Sequence, residues 1–240
     1  MNRGLLIKKD IDVLIASYGG VGTSFLADAV SKFTNVNNFE DEDGHKHLPL
    51  PPLSRNTNLK ILYVVGDPSV ATISLFRRNY ASFQSFKLNQ FSSSTLISPH
   101  ETLDEYACRG EDRFNFEAVF NRWDREFQYY PTLVLKYSAI HDNLKHIQEF
   151  LELPKEFIDS FPTKKERNSN VQDLNQETKE GLDKMYKKFG NVLHAFPVFY
   201  IRPKRTRLKY LKIITCPFYL KAIFISVFRI LKFRIKKFLF

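Results

Sequence analysis

Residues 12–30, DVLIASYGGVGTSFLADAV, decide how this chain is read. Val13, Leu14, Ile15 and Ala16 form a short unbroken apolar run, the pattern of a parallel strand covered on both faces. Gly19, Gly20 and Gly22 then permit a tight turn with close backbone approach. Thr23 and Ser24 open a helix whose apolar side holds Phe25, Leu26, Ala29 and Val30. A strand, a glycine turn and a helix N-terminus in this order gather backbone N–H groups and the positive end of a helix dipole at one point, where phosphate or sulfate is the natural guest. The competing reading is a glycine turn that serves only tight strand–helix packing. A Walker A loop needs Gly where Ser17 stands and Lys where Thr23 stands, so ATPase and GTPase chemistry is disfavoured.

The chain has 240 residues, 43% hydrophobic with 23 Phe, enough for one α/β domain with a real core. Two cysteines, Cys108 and Cys216, make no disulfide framework. The opening MNRGLLIKKD enters the first strand without a secretion signal, which leads to the expectation of a cytoplasmic protein. The net charge of +10 is local: residues 201–240 hold 12 basic and no acidic side chains, leaving 24 basic against 26 acidic in the first 200. The body is therefore not a basic nucleic-acid binder.

Outward from the opening stretch, strands are expected at 11–17, 60–65 (KILYVV) and 132–137 (TLVLKY). Helices are expected at 22–33, after Asp67-Pro68 as cap and first turn, at 114–130, 140–151, 154–160 and 174–189. Phe116, Phe120, Trp123 and Phe127 share one stripe of the 114–130 helix and read as core. Residues 34–58 and 85–112 read as irregular, the second as a loop over a site. His45 and His47 precede a Pro-rich run and lack neighbours to complete a metal site, so on their own they read as a solvated loop. Strands alternating with helices predict a three-layer α/β fold on a parallel sheet, with a phosphate-binding turn of P-loop type.

Five stretches, in order over residues 11–200, resemble the sulfotransferases that use 3'-phosphoadenosine 5'-phosphosulfate (PAPS). SYGGVGTSF stands where that family has a loop like YPKSGTTW, and HKHLP is similar to its KTHLP. YVVGDPSVATISLF is similar to its YVCRNAKDVAVSYY segment, LKYSAI with a later FLEL to its LRYEDL and FLGL, and FPTKKERNS to a late basic loop. The resemblance implies PAPS as donor with no metal, and a hydroxyl or amine of a carbohydrate or lipid-linked molecule as acceptor. Gly19, Gly20, Val21, Gly22, Thr23 and Ser24 would hold the 5'-phosphosulfate, and Phe25 would stack on adenine. His47 falls on the catalytic base, Ser74 on a 3'-phosphate serine, Tyr137 near the adenine, and Arg167 in the loop that closes over the 3'-phosphate.

Two positions depart from the family. Its loop Lys is Gly20 here and its 3'-phosphate Arg is Gly66. Hydrogen bonds to charged groups contribute about 1.5–3 kcal/mol each, so losing both costs roughly 3–6 kcal/mol unless other cations replace them. Lys46, Arg77, Arg78, Lys164 and Lys165 are the candidates. The departures favour one rival, a non-catalytic nucleotide- or glycan-binding protein held at the membrane by its tail. A second rival, a P-loop phosphotransferase, is opposed by the absent loop Lys and would need activity with ATP and Mg²⁺.

Residues 201–240 form a separate tail. From 220 onward Leu220, Phe224, Val227, Leu231 and Phe238 fall on one helical side and Lys221, Arg229, Lys232 and Lys236 on the other, though Arg234 and Lys237 do not. That pattern predicts a basic amphipathic helix lying on an anionic membrane surface.

Overall fold

A computed structural model describes residues 6–7, 10–54, 56, 58–90, 92–126, 130–164 and 171–202. In chain order the elements are β1 (Leu6–Ile7), β2 (Val13–Ser17), α1 (Thr23–Ser31), β3 (Leu53–Ser54), β4 (Lys60–Val65), α2 (Pro68–Arg77) and α3 (Ala81–Leu88). They continue with α4 (Leu103–Arg109), α5 (Phe116–Asn121), a π-helical turn (Arg122–Glu126), β5 (Thr132–Lys136), α6 (Leu144–Leu151), α7 (Glu156–Asp159), α8 (Gln176–Ala195) and β6 (Phe199–Arg202). β1 and β3 pair with each other in a short parallel ladder.

The main sheet has the order β2-β4-β5-β6. β2, β4 and β5 are mutually parallel, and β6 returns antiparallel to β5. All five residues of β2 are buried, as are five of the six in β4, so both faces of the sheet are covered. The register pairs Ser17 with Val64 and Val65 with Lys136. The carboxyl ends of three adjacent strands therefore lie side by side, and the glycine turn, Gly66-Asp67 and Tyr137 emerge at one edge. Ligands of open α/β sheets bind at that edge.

The outer edge of β2 is closed by chain that the sequence shows only as a loop. Val36 bridges Val13, and the Asn37 side chain accepts from Ile15 N–H at 2.7 Å and donates to Ile15 O at 3.1 Å. Ser17 N–H donates to Lys46 O at 3.0 Å. An exposed strand edge is thereby covered, and residues 46 and 47 are drawn onto the end of β2.

Several expectations are corrected. The irregular stretch 85–112 contains the end of α3 and all of α4, whose Thr102–Glu105 capping box satisfies the helix start. The helix expected at 114–130 is regular only through Asn121, then widens into the π turn. That turn sends Trp123 Nε1–H to Leu48 O at 3.0 Å and Arg122 Nε–H to Pro49 O at 2.8 Å. Trp123 stacks on Tyr63 with centroids 4.6 Å apart. α8 extends to Ala195, burying Leu182, Tyr186, Phe189 and Leu193 on one stripe. β6 was not expected; its Arg202, read as a tail cation, bonds the buried Asp124 carboxylate through Nε at 2.9 Å. The tail expected over residues 201–240 lies outside the described residues, apart from its first two, Ile201 and Arg202, which belong to β6. Among the described residues no helix is long and apolar enough to cross a membrane.

Candidate functional site

The glycine turn forms because three consecutive constraints meet in it. Ser17 ends β2 and its Oγ accepts from Gly19 N–H at 3.1 Å. Tyr18 is fully buried, and its hydroxyl accepts from Gly66 N–H at 2.9 Å and donates to Gly66 O. Gly20 has φ +70°, and a Cβ there would lie 2.4 Å from Ala71 O and 2.7 Å from Ala71 Cα. The turn is thus pressed against the backbone of α2. A side chain at position 20 would collide with the α2 backbone as it stands. Gly66 is similarly enclosed, since a Cβ would lie 2.7 Å from Val21 Cγ1.

A pocket of about 620 Å³ opens beside the start of α1, lined by Ser24, Asp41, Lys46, His47, Arg78 and Gln84 among others. Lys46 is its central cation. The side chain is only 4% exposed, and Nζ donates to Ser24 Oγ at 2.9 Å and to Phe39 O. Burial pushes the Lys46 pKa below the ordinary lysine value, with Arg78 and Lys87 adding to the effect and Asp41 and Asp43 opposing it. An ammonium beside the positive end of α1 is electrostatically strained, and an anion in the pocket would relieve it. Asp41 is already neutralised by Lys87 Nζ at 2.6 Å and accepts from Lys46 N–H at 2.8 Å. Burial works against the Asp41 carboxylate, but His47, Lys87 and the Lys46 N–H outweigh it and hold its pKa below the ordinary value.

His47 lines the same pocket, with Nδ1 3.2 Å from both Ser17 O and Ser17 Oγ. A carbonyl only accepts, so Nδ1 carries the proton and Nε2 keeps the lone pair. Burial lowers the His47 pKa from 6.5 to about 3, with Lys87 and Lys46 in the same direction and Asp41 opposing. The imidazole is therefore neutral across the physiological range, well below the value near 6.5 that an unperturbed base would have.

That shift has a stability consequence. The unfolded chain binds a proton at position 47 near pH 6.5, and the folded chain does not until about 3. Folded stability must then fall as pH drops from 6.5, by about 2 kcal/mol at pH 5 for one proton. His47→Gln should remove this component. Urea unfolding at pH 7.5 and 5 will show wild type losing ground to the variant, and an equal loss in both would refute the assignment.

The structure brings some of the sequence-predicted residues together and leaves others apart. Ser24 and His47 share the pocket, and Thr23 Oγ1 lies 3.5 Å from Ser17 Oγ behind it. Gly19, Gly20 and Val21 are buried, whereas Gly22 is exposed and packs on the Tyr137 ring. Phe25 and Tyr137 meet edge to face at 6.2 Å in a separate aromatic cluster, where Phe25 stacks on His141 at 6.0 Å. Ser74 is half-buried in α2, and its carbonyl accepts from Arg78 Nε at 3.0 Å. Arg167 and Lys165 lie outside the described residues. Of the candidate cations, Lys46 and Arg78 reach the pocket; Arg77 and Lys164 are exposed and are not among its lining. His45, read as solvated, is 2% exposed, with Nδ1 3.3 Å from Asp43 Oδ2. Asp41, Lys87, Gln84 and the aromatics Phe39, Tyr80 and Phe83 were missed. Only a charge run around position 41 hinted at any of them.

Among the described residues no group of three or more His, Cys, Asp or Glu side chains is arranged to hold a metal ion. Comparisons with family models, curated proteins and solved structures found no match to this chain.

Proposed function

We propose that the chain is a PAPS-type sulfotransferase in which Lys46 and Arg78 stand in for the cations absent at positions 20 and 66. The observation that carries this reading is the buried Lys46 ammonium at the start of α1, in one pocket with His47. The fit to the donor is uneven. The phosphosulfate end matches the N–H groups of Gly22, Thr23 and Ser24 with Lys46 beside them. The 3'-phosphate end finds Gly66 engaged by Tyr18 and enclosed by Val21, which leaves Ser74, Arg78 and Arg167 to serve it.

When bound, the donor supplies the sulfuryl group. His47 takes the acceptor's proton at Nε2, with Ser17 O fixing the ring through Nδ1–H. Lys46 and the N–H groups of α1 stabilise the charge on the departing oxygen. A bound anion also raises the His47 pKa from its low resting value, so base strength comes with the donor. The acceptor is a hydroxyl or amine of a carbohydrate or lipid-linked molecule, and the basic segment beyond Arg202 would hold the protein on the cytoplasmic surface of an anionic membrane.

The test is thermal shift of the full-length chain with adenosine 3',5'-bisphosphate, against ATP and GTP. A hundredfold excess over Kd should raise Tm selectively by roughly 5–10 °C, and His47→Ala should then abolish transfer from PAPS. Binding without any transfer supports a second reading, a non-catalytic nucleotide-binding protein. That reading is favoured by the setting of His47, tied through Nδ1 to Ser17 O at 3.2 Å and held well below the ordinary histidine value by burial. The absence of any shift would overturn both.

A further inference from the structure

The pocket has two ends of different chemistry. Its buried side holds Lys46, 4% exposed, and Asp41, whose carboxylate is paired with Lys87. Its mouth holds Phe39, Tyr80 and Phe83, which are 44%, 54% and 58% exposed. Among the described residues these are the exposed aromatic side chains, and all three line this one opening. Exposure of two Phe and a Tyr at one concave site marks a binding surface. Phe39 is anchored there because its carbonyl accepts from Lys46 Nζ. Phe83 is fixed by the first turn of α3, with Gln84 beside it buried and donating to Tyr18 O at 3.0 Å.

The charges at the mouth sharpen this. Glu40 and Glu42 are exposed and line the pocket, as does Arg78. The Arg78 guanidinium lies over the Tyr80 ring at 5.7 Å, with its Nε on Ser74 O. A cation is thus already seated on one of the three rings. Aromatic faces beside carboxylates attract a weakly hydrated cation through the ring quadrupole and through charge.

We propose that the mouth of the pocket is a subsite for an ammonium-bearing ligand, held between Phe39 and Phe83 with Glu40 and Glu42 as its counter-charges. In making this the acceptor end, the proposal rests on the transfer reading above. The recognition of the cation does not depend on it. The acceptor would then carry an amine or quaternary ammonium group outside the reacting hydroxyl. The anionic donor lies deeper, and the two ligands attract rather than repel each other in a shared pocket.

Choline and its neutral isostere 3,3-dimethylbutan-1-ol make the test, because they share shape and differ in charge. Each is titrated into the full-length protein and followed by NMR, alone and with adenosine 3',5'-bisphosphate present. Choline should bind at least about tenfold more tightly than the isostere. Phe83→Ala and Glu42→Gln, both at exposed positions and therefore safe for folding, should each weaken choline at least about threefold. A smaller ratio between the two probes, or no saturable choline binding by about 50 mM, overturns the proposal. Choline binding without bisphosphate binding would keep the cation subsite and remove the donor reading. The reverse would remove the subsite alone.

Discussion

Lys46→Met is expected to weaken adenosine 3',5'-bisphosphate binding by roughly 10–100-fold while leaving the empty protein as stable as wild type or more so. The two effects have opposite sign for one reason. In the empty pocket the ammonium is 4% exposed, sits beside the positive end of α1 and is repelled by Arg78 and Lys87. Its bonds to Ser24 Oγ and Phe39 O offset only part of the desolvation. Methionine fills a similar volume without the charge. With an anion bound, the same ammonium becomes a donor to a charged acceptor, and losing that bond costs about 1.5–3 kcal/mol. Calorimetric titration and urea unfolding of the pair read the two signs separately. A variant that loses stability but keeps its affinity would mean that Lys46 is a structural prop, and the anion reading would fall with it.

How much of this was legible follows from the kind of signal involved. β4 is found where expected, over Lys60–Val65, because a continuous apolar run bounded by turn residues has few other fates. α2 begins at Pro68 because Asp67 and Pro68 are a local cap, and Asp67 Oδ1 does accept from Val70 N–H at 2.8 Å. α3 and α4 were lost inside a polar stretch, although the Thr102–Glu105 box is a local signature of α4. β6 was lost because a four-residue edge strand next to a basic run has no pattern of its own, and only pairing with β5 fixes it.

The site was less legible than the fold. In the sequence Lys46 and Arg78 are two of five equivalent cations. What singles out Lys46 is the loop that crosses the end of β2, set by Asn37 and by Ser17 N–H, whereas Arg78 is placed by the C-terminal end of α2. The pairing of Asp41 with Lys87 spans 46 positions and leaves no trace in either local sequence. The His47 pKa is a property of the surrounding burial and of those same lysines, so the unperturbed value is the only one a sequence can supply.

Gly20→Ala should cost roughly 2–5 kcal/mol, a large share of the 5–15 kcal/mol that holds a domain of this kind together. Two terms add. A non-glycine residue in the left-handed region costs about 1–2 kcal/mol, and position 20 has φ +70°. The new Cβ would also meet Ala71 O at 2.4 Å and Ala71 Cα at 2.7 Å, atoms of a helix backbone that cannot rotate away. Overpacking of this sort adds about 1–3 kcal/mol. Gly44 separates the terms, because it has φ +73° with nothing within 4 Å of a built Cβ. Gly44→Ala should therefore show the left-handed cost alone, and the difference between the two variants in urea midpoints measures the contact with α2. Gly20→Lys should be at least as damaging as Gly20→Ala and should not strengthen bisphosphate binding. If Gly20→Lys instead folds with wild-type stability, α2 yields to the side chain. The absence of a lysine in the turn would then be free of structural cause, and the case for Lys46 as its replacement would lose its first premise.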